Sequence, residues 1–116
     1  MMNANQKQLR LQFSGYLVAG MLQRSGVNFC AAPNDQHVGA VEFIVLKDAS
    51  TYQTIKVKYS EDLAQVKTIW NNWKRSKSRG LDQLIVVTGQ GKWVFAEPSV
   101  APLLAVDSDT SLSLLN

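Results

Sequence analysis

Glu42, Lys56 and Lys58 are the residues of this 116-residue chain whose types and spacing best suit chemistry. In the stretch TYQTIKVKY, residues 51–59, polar and apolar side chains alternate. Tyr52, Thr54, Lys56 and Lys58 therefore share one face of an extended strand, and Gln53, Ile55, Val57 and Tyr59 the other. The preceding apolar run, VEFIVL, carries one acid, Glu42. If the two segments pair as an antiparallel hairpin, the acid and the lysines can converge on one face. A carboxylate beside lysines is how metal-dependent phosphodiester cleavage is built. Acids hold a divalent ion, and a lysine steadies the attacking water or the phosphate. Asp35, in the turn Pro33-Asn34-Asp35, offers a second acid. A solvated strand face, with Glu42 ion-paired to one of the lysines, accounts for the same residues without a site, because a buried acid needs a partner.

Other chemistries are poorly supplied. One histidine and one cysteine do not make a zinc site or a Cys/His pair. His37, in the turn region after Pro33, reads as a surface histidine. Gly89-x-Gly91 lacks a phosphate-loop lysine and lies between two apolar runs, which makes it a hairpin turn. The best local polyanion patch is the basic end of a helix, Lys74, Arg75, Lys77 and Arg79, with Lys67 a turn or two earlier. The same residues would also complete a helix C-terminus electrostatically. Charge is unevenly spread. Residues 1–96 hold all 12 basic residues and 6 of the 9 acidic ones, a net of +6, while residues 97–116 hold only acids. That imbalance favours DNA or RNA as partner.

The elements that must position these residues follow from periodicity. Residues 6–25 read as a helix with Leu9, Phe13, Leu17 and Met21 as its core stripe, widened by Tyr16 and Leu22. Gly26 is its stop, and the interior Gly15 and Gly20 read as points of close packing. Strands follow at 27–32, 41–46 and 51–59, the second expected to be central and buried. A second helix is expected over 61–79, capped by Ser60, with Leu63, Val66, Trp70 and Trp73 facing the core. Strands at 84–88 and 92–96 complete the order αβββαββ, an α+β (α/β sandwich) fold around a mixed central sheet. The expected domain is 1–98. Residues 99–116, with Pro102, serines and aspartates, read as an irregular tail whose Leu103, Leu104, Leu112, Leu114 and Leu115 would dock on the body, or seal a homodimer or a protein partner. The lone Cys30 fits a reducing compartment. The N-terminus lacks a signal-peptide core and no run suits a membrane span, so a cytoplasmic location is expected.

Over residues 9–98 the chain resembles the PD-(D/E)XK nuclease superfamily, particularly its small group I intron homing-endonuclease-like branch. SGYLVAGMLQRSGVNF resembles that branch's opening helix and first strand. PNDQHVGAVEFIVL occupies the place of the loop and strand that present the first aspartate, IKVKYS that of the (D/E/Q)-x-K strand, and DQLIVVTGQGKWVF that of the final hairpin. The resemblance implies a restriction-endonuclease-like core and association with nucleic acid. It places Glu42 at the metal-binding aspartate and Lys58 at the lysine. Lys56 falls where an acid or glutamine belongs, and Gly15 where a helix glutamate belongs. One of three metal-facing ligands remains, and the ammonium at position 56 repels a cation. The implication is a nucleic-acid-binding protein with an impaired catalytic site and no cofactor. If it cuts, it would be a Mg²⁺-dependent endonuclease using Glu42, Asp35 and Lys58; the other alternative is a protein-interaction or inhibitor module from a mobile element that uses the fold as scaffold.

Overall fold

The computed structural model describes residues 3–32, 40–76 and 80–116. The first helix, α1 (Ala4–Arg24), starts at a reciprocal cap in which the Asn3 and Gln6 side chains each accept the other's backbone N–H at 2.9 Å. It ends where Gly26 turns to φ 75°, Val27 N–H donating back to Leu22 O and Gly26 N–H to Gln23 O. Its core face is Leu11, Ser14, Gly15, Val18, Met21 and Leu22. The stripe expected from bulk is therefore wrong in its first half. Leu9, Phe13 and Tyr16 are 65%, 44% and 79% exposed. The helix instead approaches the sheet through its small residues. A Cβ added at Gly15 would lie 3.0 Å from Val41 Cγ1, so Gly15 is a close-packing position as expected, whereas Gly20 meets only the Arg24 side chain.

Six strands form one sheet in chain order: β1 (Asn28–Ala31), β2 (Val41–Leu46), β3 (Tyr52–Tyr59), β4 (Gln83–Thr88), β5 (Trp93–Ala96) and β6 (Ser111–Leu114). β1, β2 and β3 form an antiparallel meander, β4 runs parallel to β3, β5 antiparallel to β4, and β6 parallel to β5. The crossover from β3 to β4 carries the second helix, α2 (Leu63–Arg75). Among the described residues the fold is thus α+β, with a mixed six-stranded sheet and two α-helices.

Strand alternation divides the core in two. Phe43, Val45, Ile55, Val57, Ile85, Val87, Val94 and Ala96 pack with Val18, Met21 and Leu22 of α1. Leu84, Val86 and the half-buried Phe95 pack with Val66 and Trp73 of α2. The helices therefore cover opposite faces. From Leu84 to Thr88, β4 is buried on both faces, which explains its unbroken LIVV run. β2 is less enclosed than its composition suggests, with Glu42 and Ile44 half-buried and Leu46 exposed. Asp62, not Ser60, caps α2, accepting the Gln65 N–H at 2.8 Å. Leu63 faces solvent instead of joining the core stripe.

The expectation of an irregular tail is corrected. Ala101–Leu103 form a 3-10 turn, and β6 joins the sheet edge, with Ser111 N–H on Lys92 O at 2.7 Å and Leu115 N–H on Ala96 O at 2.8 Å. Val100, Leu104 and Leu115 are buried. At the join, the buried Glu97 carboxylate accepts the Leu84 N–H at 2.7 Å, satisfying the start of β4.

Candidate nucleic-acid interface

The hairpin delivers the lysines as expected. Thr54, Lys56 and Lys58 face the α2 side of the sheet, with Glu42 directly opposite Lys56 on β2. Lys56 and Lys58 pair in register with Leu84 and Val86 on β4. The charge partner of Lys56, however, is not Glu42. Lys56 Nζ lies 3.5 Å from Asp82 Oδ2, and the Thr54 hydroxyl donates a short hydrogen bond to Asp82 Oδ1. The expected ion pair of Glu42 with one of the lysines is not formed. Sequence reading missed Asp82 because it is 26 positions from Lys56, and only the parallel β3–β4 pairing brings it alongside. The signal available was its position just ahead of LIVV, where a crossover returns the chain to the β3 edge.

Lys58 has a different environment. Its ammonium lies 5.6 Å from the centroid of the buried Trp73 ring. Loss of hydration, and secondarily the positive charge of Lys56, hold its pKa below the usual lysine value. The Trp73 indole N–H is buried without a partner among the described residues.

Lys67 and Lys74 stand on the other flank of α2, with Trp70 and Asn71 between them in the helical repeat. Together with Phe95 and Leu115 they line a groove of about 580 Å³ between α2 and the chain's last residues. Lys74 Nζ lies 5.3 Å from the Trp70 ring centroid, and Trp70 Nε1–H donates to Asn116 O at 3.0 Å. Arg75 folds back on its own helix, Nε donating to Asn71 O at 3.2 Å and Nη2 to Asn72 Oδ1 at 3.5 Å. Of the residues expected to form the polyanion patch, Lys67 and Lys74 lie together on the β5–β6 side of α2 and Arg75 at the helix end, whereas the motif lysines Lys56 and Lys58 lie on the β3 side. Lys77, Arg79, Asp35 and His37 lie outside the described residues.

The donor set does not suit the Mg²⁺ that the resemblance implies for catalysis. Two acids flank the Lys56 position, and the ammonium between them neutralises the charge a divalent cation would need. Among the described residues no group of three histidine, cysteine, aspartate or glutamate side chains is placed to hold a metal ion. Gly15 packs over Val41, on the opposite sheet face from Glu42, so a glutamate there would enter the α1 core instead of this face. Of the tail leucines, Leu104 and Leu115 are buried in their own chain, Leu103 and Leu112 are half-buried, and Leu114 is exposed. Among the described residues no helix is long and apolar enough to cross a membrane.

No family model, curated protein or solved structure matches this chain.

Proposed function

We propose that the protein binds nucleic acid through lysines on and beside α2, and does not cleave it efficiently. The carrying observation is that Lys67 and Lys74 share one exposed helical stripe with no acidic partner among the described residues. Lys58 adds a third cation on the far flank of the same helix. The arrangement αβββαβ followed by a hairpin strand, with β4 parallel to β3, agrees with the nuclease-like core that the sequence resembles. The chemistry at position 56 argues against cutting, since an ion pair replaces a metal ligand.

The test is fluorescence anisotropy with labelled single- and double-stranded oligonucleotides over a salt series, plus a plasmid incubated with Mg²⁺ or Mn²⁺. The expected result is salt-dependent binding with a log–log slope of about −1.5 to −3.5, as two to four phosphate contacts would give. The plasmid is expected to stay intact. Absence of binding at low salt would overturn the proposal. Cleavage lost in both Glu42→Ala and Lys58→Ala would replace it with an endonuclease.

A further inference from the structure

We propose that the preferred strand is single-stranded, and that one of its bases enters the groove between α2 and β6 and stacks on Trp70. This rests on the nucleic-acid reading above and names which form of nucleic acid is taken and where. The groove's volume, about 580 Å³, lies within the range of small-ligand pockets.

Its chemistry is that of a nucleotide site. Trp70 and Phe95 supply aromatic surface, and every base has a π-face to stack on it. Lys67 and Lys74 lie three residues before and four after Trp70, hence on the same helix face one turn to either side. A rise of 1.5 Å per residue separates them by about 10 Å. A base on the indole would therefore have an ammonium on either side, each on a flexible stem that can reach a phosphate. Asn71, between them, is exposed, and its side-chain amide makes no hydrogen bond among the described residues. An amide offers a donor and an acceptor to a base edge. Leu63 and Leu114, at the groove, are 58% and 50% exposed, leaving apolar surface for an occupant to cover. Lys74 now lies over the Trp70 ring. An incoming base would take that position and release the ammonium to a phosphate.

A duplex keeps its bases stacked inward and cannot offer one to this groove without paying to extrude it. An acidic amphipathic peptide would satisfy the lysines and the leucines, but it has less use for an aromatic–amide pair. The experiment compares a labelled oligo(dT) with the same strand carrying abasic sites at its centre, which conserves phosphate number, and with a duplex of equal length. The expected result is binding about tenfold tighter for the intact strand than for the abasic one, with quenched tryptophan fluorescence. Trp70→Leu should abolish that difference and leave the salt slope unchanged. Asn71→Ala, an exposed substitution that spares the core, should weaken the intact strand alone. Equal binding of intact and abasic strands would overturn the base pocket and leave the phosphate reading standing. No binding of either would overturn both. Capture of an acidic amphipathic peptide by the groove, lost in Trp70→Leu while oligonucleotide binding is unaffected, would also overturn the proposal.

Discussion

Neutralising Asp82 should destabilise the protein and tighten its grip on nucleic acid at the same time. Asp82→Asn keeps the shape and can still accept the Thr54 hydroxyl, so the change isolates one charge. The Lys56–Asp82 pair is separated by 3.5 Å, with side chains 23% and 21% exposed. At an effective dielectric of about 20, the gross attraction is roughly 5 kcal/mol. Desolvating both groups offsets most of this. Exposed pairs are worth about 1 kcal/mol or less, and breaking a fully buried one costs about 3–5 kcal/mol. A pair about one-fifth exposed lies between these limits, so Asp82→Asn should cost about 2 kcal/mol, with Glu42 across the strand limiting the loss. For a chain of this size that is a fall in Tm of roughly 6–10 °C. A cycle with Lys56→Met, read by urea unfolding, should give a coupling of about 1–2 kcal/mol. In the binding assay the released Lys56 should steepen the salt slope by up to about 1 and raise affinity at low salt. Stability within about 0.3 kcal/mol of wild type, or weaker binding by the Asp82→Asn protein, would refute the assignment of Lys56 to Asp82.

Three further outcomes follow from single side chains. Lys58 carries its charge at a cost, because its folded pKa lies below the unfolded one. That penalty is fully present below the folded pKa and fades as pH rises from there toward the ordinary lysine value of 10.5, so Lys58→Met should raise Tm, by an increment that shrinks in alkali. Asp48 accepts hydrogen bonds from Ser50 and Thr51 in the β2–β3 turn, which lower its pKa to about 2. Its contribution is complete above the unfolded value near 3.8 and is lost as pH falls through about 2; an NMR titration of its carboxyl with a midpoint near 4 would contradict this. Glu97→Ala should cost about 2 kcal/mol by orphaning the buried Leu84 N–H, with oligonucleotide affinity unchanged in the anisotropy assay.

The parts of the fold that are legible in sequence are those set by local pattern. The β2–β3 hairpin, the alternation that places Lys56 and Lys58 together, and the buried β4 follow from period and turn residues. The α1 core face does not, because bulk misleads there. Ser14 and Gly15 face the sheet and allow close approach, while Phe13 and Leu17 pack around the turn, each 3.2 Å from where a Gly91 Cβ would be. β6 was hidden for another reason. Four residues, SLSL, carry little period, and their strand identity comes from parallel pairing with β5 across a 3-10 turn containing Pro102. The pairing of Asp82 with Lys56 and the contact of Lys58 with Trp73 arise only between segments that no local window contains.

These contacts also decide which flank of α2 should carry the phosphate contacts. The sheet face holds Glu42 and Asp82 against Lys56 and Lys58, so its formal charge is zero and one lysine is already held by an acid. The groove flank holds Lys67 and Lys74 with no acidic side chain among its lining residues. A polyanion approaching the sheet face must compete with Asp82 or desolvate Lys58 further, whereas at the groove it meets exposed ammonium groups with no acidic partner among the described residues. Replacing Lys67 and Lys74 together by glutamine should therefore flatten the salt slope by about 1–2, while replacing Lys56 alone should scarcely change it. If the ranking were reversed, with the larger loss at Lys56, the ion pair would have to open on binding, and Asp82 would act as a competitor for the phosphate instead of a structural partner of the lysine.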